Sequence, residues 1–339
     1  MLKFCASYFL IVVIFFFFSC TKEVIEIPQD KQQIKRGVLV VNEGNFMYGN
    51  GSITYYDDST GQIIEDIFMT NNGRKLGDVV QSVQRIGEEL FIVVNNSGKI
   101  EVVDKNNFKS TGTISGLRSP RYILSINAQK AYVSDLYANA ISIINPQTKI
   151  ITGNIPLAGW TEQMVLWKDK VWVSNVYRDK LYIIDANTDK ITDSLAAQKG
   201  IARITADITG IWALASTNQD SSILFHINPD EKRIHKRISL PPLASSKYMG
   251  LIKNQWEIFL LSSKGVSIYH TLNQTLSPLF EKPAQNFYGF GYDAKKARLY
   301  VADAKDYIQK STIYVYDIQQ KKWLSNFNAG IISSDFYFY

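Results

Sequence analysis

The sequence predicts an all-β chain, a seven-bladed β-propeller with four-stranded antiparallel blades. Three observations carry the prediction. A unit of two β-rich runs, closed by a polar turn residue, occurs seven times. The units follow one another at a nearly constant interval. The last residues read as an inner strand that the first unit lacks.

The units are VLVVNEGNFMYGNGSITYYD (38–57), LFIVVNNSGKIEVVD (90–104), AYVSDLYANAISIIN (131–145), VWVSNVYRDKLYIID (171–185), IWALASTNQDSSILFHIN (211–228), IFLLSSKGVSIYH (258–270) and LYVADAKDYIQKSTIYVYD (299–317). They end on Asp57, Asp104, Asn145, Asp185, Asn228, His270 and Asp317, at intervals of 47, 41, 40, 43, 42 and 47 residues. An interval near 43, with β-branched and aromatic residues between turn residues, is the length of a four-stranded blade. Parallel solenoid coils are shorter. Each unit supplies strands B and C, then an outer strand D, then the inner strand A of the next blade. RYILSI (121–126), QMVLW (163–167) and ARITAD (202–207) are such inner strands. AGIISSDFYFY, at the end of the chain, resembles SGLRSPRYILSI and should complete the first blade, whose other three strands come from residues 37 to about 70. That closure removes the free sheet edges of an open ring.

The propeller is expected over 37–339. Ahead of it, 1–20 reads as a lipoprotein signal peptide. It has Lys3, an apolar run from Cys5 to Phe18, then Ser19 and the acylation nucleophile Cys20. Residues 21–36 read as a flexible tether, so the expected membrane attachment is by lipid alone. Cys5 is the other cysteine, inside the signal, so neither a disulfide framework nor a cysteine nucleophile is expected. The formal net charge of +6 is scattered and forms no basic block, which argues against a nucleic-acid partner.

In an A-B-C-D meander the A–B and C–D turns share one face of the disc, and the B–C and D–A loops share the other. The first face has short hydrophilic turns such as NAQK, NPQTK and DANTD. The second has longer aromatic loops, NEGNFMYGNG (42–51), NVYRDK (175–180) and LAGWTEQ (157–163) among them. Phe46, Met47, Tyr48, Tyr137, Trp160, Tyr177, Tyr248, Phe287, Tyr288 and Tyr307 are expected to gather there with Arg74, Arg178 and Lys247. Apolar rings left on loops suit a large, partly apolar ligand with amide or sugar edges. The ligand-binding set expected is Phe46, Tyr48, Arg74, Tyr137, Trp160, Tyr177, Arg178, Tyr248, Tyr288, Asp303 and Tyr307.

HExxH, GxSxG and phosphate-loop signatures are absent, and the three histidines fall on strands: His226 and His270 in or ending C strands, and His235 in a D strand. The expectation is therefore a non-catalytic protein with no cofactor and no metal. Glu43, Asn96, Asp135, Asn175, Ser216, Ser263 and Asp303 follow the B-strand anchors and form a candidate ring of oxygen donors, which keeps a calcium-dependent, lactonase-like hydrolase as an alternative. A protein-interaction or adhesion face is the other.

The repeats VWVSN…LYIIDANTDKI and AYVSD…ISIINPQTKII resemble the YVTN-type repeat of YncE-like propellers. VNEGNF (41–46), LGDVVQS (76–82) and ADAKDY (302–307), with the lipoprotein start, resemble surface lipoproteins of Bacteroidetes in that group, which includes cobalamin-capturing propellers. The resemblance implies a binder, lipid-anchored at the outer membrane and facing the cell exterior. It would pass cobalamin, another corrinoid or a different large nutrient to a TonB-dependent transporter.

Overall fold

A computed structural model describes residues 34, 36–217, 221–240, 251–254, 256–262, 265–281 and 286–339. It contains seven four-stranded antiparallel sheets. Each sheet is a blade, its strands running in order from the axis outward. Blade 1 is Ser333–Phe338, Val38–Asn42, Ser52–Tyr56 and Ile63–Ile64; blade 2 is Val80–Ile86, Glu89–Val94, Lys99–Asp104 and Ser110–Ser115. Blade 3 is Pro120–Asn127, Lys130–Asp135, Ala140–Asn145 and Ile150–Pro156; blade 4 is Thr161–Trp167, Lys170–Asn175, Lys180–Asp185 and Lys190–Ala196. Blade 5 is Ile201–Asp207, Gly210–Thr217, Ser221–Asn228 and Arg233–Leu240; blade 6 is Leu251–Asn254, Glu257–Ser262, Gly265–His270 and Thr275–Glu281. Blade 7 is Phe287–Asp293, Arg298–Asp303, Lys310–Asp317 and Lys322–Ile331.

Successive side chains on a strand point to opposite faces, and both faces of a blade meet a neighbour. The B strands are therefore apolar on both faces. In blade 1, Val38 and Val40 pack with Tyr300, Val315 and Phe327 of blade 7, while Leu39 and Val41 pack with Leu90, Ile92 and Val103 of blade 2. An apolar cluster of this kind sits at every junction: blades 2–3, 3–4, 4–5, 5–6 and 6–7 as well.

The ends of the chain meet as expected. Ser333–Phe338 pairs antiparallel with Val38–Asn42, with Val38 opposite Phe338 and Val41 opposite Asp335. Tyr339 adds a backbone bond to Gly37 at 3.2 Å, and its hydroxyl donates to Lys105 O at 3.0 Å. Ile34 is buried in the blade 1–2 junction and donates its backbone N–H to Asn106 O, and Arg36 lies 3.6 Å from Asp57. The expected signal peptide and most of the tether lie outside the described residues.

Blade 1 departs from the expectation in its outer strand. Only Ile63–Ile64 pairs, and a short helix, Ile67–Asn72, follows. Asp66 caps it by accepting from Met69 N–H, and Gly73 ends it in the left-handed region at φ 67°. Ile67 and Phe68 drive into the blade 1–2 core, so the segment buries two of its three apolar side chains in one turn and leaves Met69 exposed.

At the closing junction the inner strands of blades 7 and 1 come unusually close. A Cβ on Gly289 would lie 2.5 Å from the backbone oxygen of Ser334. Gly289→Ala is expected to destabilise by about 1–3 kcal/mol through overpacking, read as a drop of roughly 2–6 °C in melting temperature. Deleting Ile331–Tyr339 exposes the inner edge of blade 1 and the blade 7 face. The truncated chain is expected to aggregate or become protease-sensitive, whereas a soluble form with a sharp melting transition would count against this closure.

Candidate ligand-binding face

Asp135, the last residue of the blade 3 B strand, shows how two sets of loops are brought to one end. Its Oδ1 accepts from the N–H groups of Tyr137 and Ala138 at 2.8 and 2.9 Å, in the B–C loop. Its Oδ2 accepts from Arg118 and Ser119 at 3.2 and 2.7 Å, in the preceding D–A loop. Asn175 Oδ1 holds Tyr177 and Arg178 N–H, and Asp303 Oδ1 holds Asn286 and Lys305 N–H. A short side chain that accepts from the backbone just ahead fixes a turn at a strand end.

These bonds correct the expected oxygen ring. Asp135, Asn175 and Asp303 pair with the first residue of the inner strand, as do Asn42, Val94 and Ala215 in their blades. Glu43, Asn96 and Ser216 are beyond that level, and Ser263 lies outside the described residues. Among the described residues these donors share no single level, and the Asp135, Asn175 and Asp303 oxygens that do are bonded to loop backbone. Among the described residues no group of three or more His, Cys, Asp or Glu side chains is placed to hold a metal ion.

The loops carry exposed rings in two groups. Tyr137 and Tyr177 are 52% and 59% exposed and flank the half-buried Trp160, whose ring centroid lies 6.3 Å from Tyr137 and 4.9 Å from Tyr177. Arg178 is exposed beside them. The second group spans blades 7 and 1. Phe46, Met47 and Tyr48 stand out on a loop braced by Asn45 and Asn50 and by a 2.7 Å bond from Met47 N–H to Asp78 Oδ2. Asn45 Nδ2 donates to Tyr307 O at 2.7 Å, tying that loop to blade 7.

Three expected site residues are engaged with other side chains or with loop backbone. Arg74 is turned onto the blade flank, over the Phe68 ring and ion-paired with the fully buried Glu101. Burial of that carboxylate would be costly unpaired, so the guanidinium is held to it. Tyr288 is 7% exposed, meets Tyr307 edge to face and donates its hydroxyl to Glu43 Oε2 at 3.0 Å. Asp303, 4% exposed, is spent on bracing Asn286 and Lys305. Tyr248 and Lys247 lie outside the described residues.

A feature the loop sequences do not announce lies on the axis. In six inner strands the register slips just after the first residue, skipping Gln81, Arg121–Tyr122, Glu162–Gln163, Ala202, Tyr288 and Ser334. A bulge of this kind leaves residues out of the ladder and re-aims them. The skipped side chains meet across blades. Arg121 Nε donates to Glu162 Oε2 at 2.9 Å and Nη1 to Gln81, while Arg203 Nη1 donates to the Tyr122 hydroxyl at 2.8 Å. Burial pushes the Glu43 carboxyl up from its ordinary value, against the pull of Arg121 and the Tyr288 and Ser334 hydroxyls. Burial does the same to Asp335, against Arg203. Among the described residues, two guanidinium groups and three carboxyl groups are thus brought together on and beside the inner strands.

The reverse face is less plain than its turns suggest. Of the exposed rings among the described residues, Phe46, Tyr48, Tyr137, Tyr177 and Tyr307 are on the loop face, but Trp256 is on an A–B turn. Ile208, 91% exposed, is on another, beside a recess of about 490 Å³ lined by Leu166, Trp167, Lys168, Ala206 and Asp207.

The fold is shared with solved structures at low identity. A quinonprotein alcohol dehydrogenase-like protein from Bacteroides thetaiotaomicron is 16% identical, with a TM-score of 0.71 over 90% of this chain and 79% of the other. A periplasmic gluconolactonase from Pseudomonas aeruginosa is 12% identical, with a TM-score of 0.66 over 89% and 98%. A protein from Lactobacillus plantarum is 11% identical, with a TM-score of 0.65 over 91% and 99%. These likenesses show a common architecture and leave chemistry to the individual site. No curated protein matches the sequence. Residues 36–338 match the family described as a domain of unknown function, DUF5074, so the chain belongs to that family of propellers.

Proposed function

We propose that the protein is a non-catalytic capture protein that binds a large, partly apolar ligand on its B–C/D–A face. The first candidate is cobalamin or another corrinoid, and a different large nutrient is the next. In this reading Cys20 carries a lipid that anchors the chain at the outer membrane, and a TonB-dependent transporter receives the ligand.

The observation that carries the reading is the Tyr137–Trp160–Tyr177 group. Two rings stay more than half exposed although Trp160 stands between them. Water gains nothing from such rings, while a flat ligand gains contact area with little loss of side-chain freedom. Arg178 and the backbone of the braced loops supply donors at the edge. The resemblance of VNEGNF, LGDVVQS and ADAKDY to the cobalamin-capturing group supports the same ligand class.

Calorimetric titration of the full chain in detergent with cyanocobalamin is the direct test, with haem and oligosaccharides as comparators. Saturable binding of cyanocobalamin below millimolar concentration is expected, and absence of binding by all three classes overturns capture. Tyr137→Ala with Tyr177→Ala removes two stacking surfaces, about 2 kcal/mol together. Affinity for the bound ligand should fall about thirtyfold, with the melting temperature changed by less than about 2 °C. An equal loss of affinity and stability would mean that these rings are packing elements.

A further inference from the structure

We propose that the reverse face, the side of the A–B and C–D turns, rests on a phospholipid surface through Leu166, Ile208, Trp256 and Leu272. The disc then lies with its ring-bearing loops turned away from the membrane. The proposal rests on the lipid anchor of the capture reading and is independent of which ligand is captured.

Among the described residues, the large apolar side chains exposed at this end of the disc are these four, and they belong to three consecutive blades. Leu166 and Ile208 border the recess at the A–B turns of blades 4 and 5. Trp256 is on the A–B turn of blade 6 and Leu272 on its C–D turn. Trp256 O accepts from Thr271 N–H at 2.8 Å, which sets those two turns side by side. The Ile208 turn is braced from both sides. Asp207 Oδ1 accepts from Thr209 N–H at 2.7 Å, and Thr209 O lies 2.9 Å from His226 Nε2. A tight turn ordinarily carries polar residues or glycine, yet this one holds a branched hydrocarbon 91% exposed. Apolar groups gathered in one exposed area mark a contact surface.

The course of the chain indicates what covers them. Ile34 and Arg36 meet C–D turns of blades 2 and 1, on this same side. Residues 21–33 separate Ile34 from Cys20, and that length of chain reaches at most about 45 Å even when fully extended. A lipid on Cys20 therefore keeps a bilayer close to this side. In a ring of seven, blade 5 lies opposite the blade 1–2 junction, so the chain entry and the apolar turns sit at two ends of a diameter. A tether at one rim leaves a disc free to swing, and a second contact across it fixes which face meets the lipid. The residue types suit that contact. Tryptophan is favoured at headgroup level, and Leu and Ile bury in the acyl boundary beneath it. Nearby charges are neutralised in pairs, Lys168 with Asp230 and Lys232 with Asp193, both at 2.7 Å. A neutral phospholipid surface therefore meets no large field of one sign.

The test uses the lipidated protein in palmitoyl-oleoyl phosphatidylcholine vesicles at a low protein-to-lipid ratio. With Cys20 acylated and Cys5 inside the signal, a cysteine introduced in the disc takes a nitroxide label alone. Ile208→Cys and Tyr137→Cys are labelled in turn, both at exposed positions where replacement disturbs little. Collision of the label with oxygen, which concentrates in lipid, is compared with collision with a water-soluble nickel chelate. The oxygen-to-nickel ratio at 208 is expected to rise several-fold on transfer from detergent-free buffer peptide controls to vesicles, and to stay low at 137. Trp256→Ser with Leu272→Ser should lower the ratio at 208 at least about threefold, with melting curves checking that the variant folds. A ratio at 208 no higher than at 137, or unchanged by the double substitution, overturns the proposal. Spin–spin broadening between labels at 208 identifies a second copy as the occupant and overturns it as well. Flotation with the vesicles reads the anchor separately. A chain that fails to float removes the anchor and the face-down placement together, whereas a chain that floats with position 208 in water keeps the anchor and removes only the placement.

Discussion

A blade of this protein has no free face. Each B strand buries alternate side chains against the blade before it and the blade after it, as Val38 and Val40 do against blade 7 and Leu39 and Val41 against blade 2. A sheet with two apolar faces is insoluble alone, so the stable form is a closed cycle of them. The cycle closes through six residues from the opposite end of the chain. That makes the C-terminal strand, with the close approach at Gly289, the contact on which the other junctions depend.

Closure around an axis creates a second constraint at the centre. Seven inner strands converge where there is no room for seven regular ladders ending on large side chains. Six of the seven strands respond with a bulge after the first residue, which turns the skipped residues out of the ladder. Because charge in such a place is expensive, Arg121 is paired with Glu162, and Glu43 is bonded by Tyr288. Site and scaffold are therefore linked. Glu43 and Tyr288 hold blades 1 and 7 together while lining the same mouth that a ligand on the rings would cover.

Most of the fold was legible because its signals are local and repeated. Runs of β-branched and aromatic residues at a nearly constant interval, each closed by a polar turn residue, mark the blades, and the likeness of AGIISSDF to SGLRSPRY marks the closing strand. The helix Ile67–Asn72 was not legible, since six residues with two apolar anchors carry no helical periodicity and the cap at Asp66 looks like any turn. The oxygen ring was misplaced for a related reason. Aligning B strands by their apolar runs ignores the slip that puts Val94, not Asn96, level with Asp135. The exposed rings at 46–48, 137 and 177 could be read from loop composition, but whether a loop side chain stays out depends on a partner far away in sequence. Glu101 took Arg74 and Glu43 took Tyr288. The axial set could not be seen as a repeat, because Gln, Arg, Glu, Ala, Tyr and Ser occupy one structural position. A charged residue one place inside an otherwise apolar strand, as in PRYILSI and TEQMVLW, was the available clue.

The point at which the chain enters the disc has its own consequence. Ile34 docks on Asn106, in the turn between Lys99–Asp104 and Ser110–Ser115, and Arg36 reaches Asp57 at the end of a C strand. Both are C–D turns, so the backbone joins the disc on the side away from Tyr137, Trp160 and Tyr177. A pull on the segment upstream of Ile34 is thus delivered to the back of blades 1 and 2.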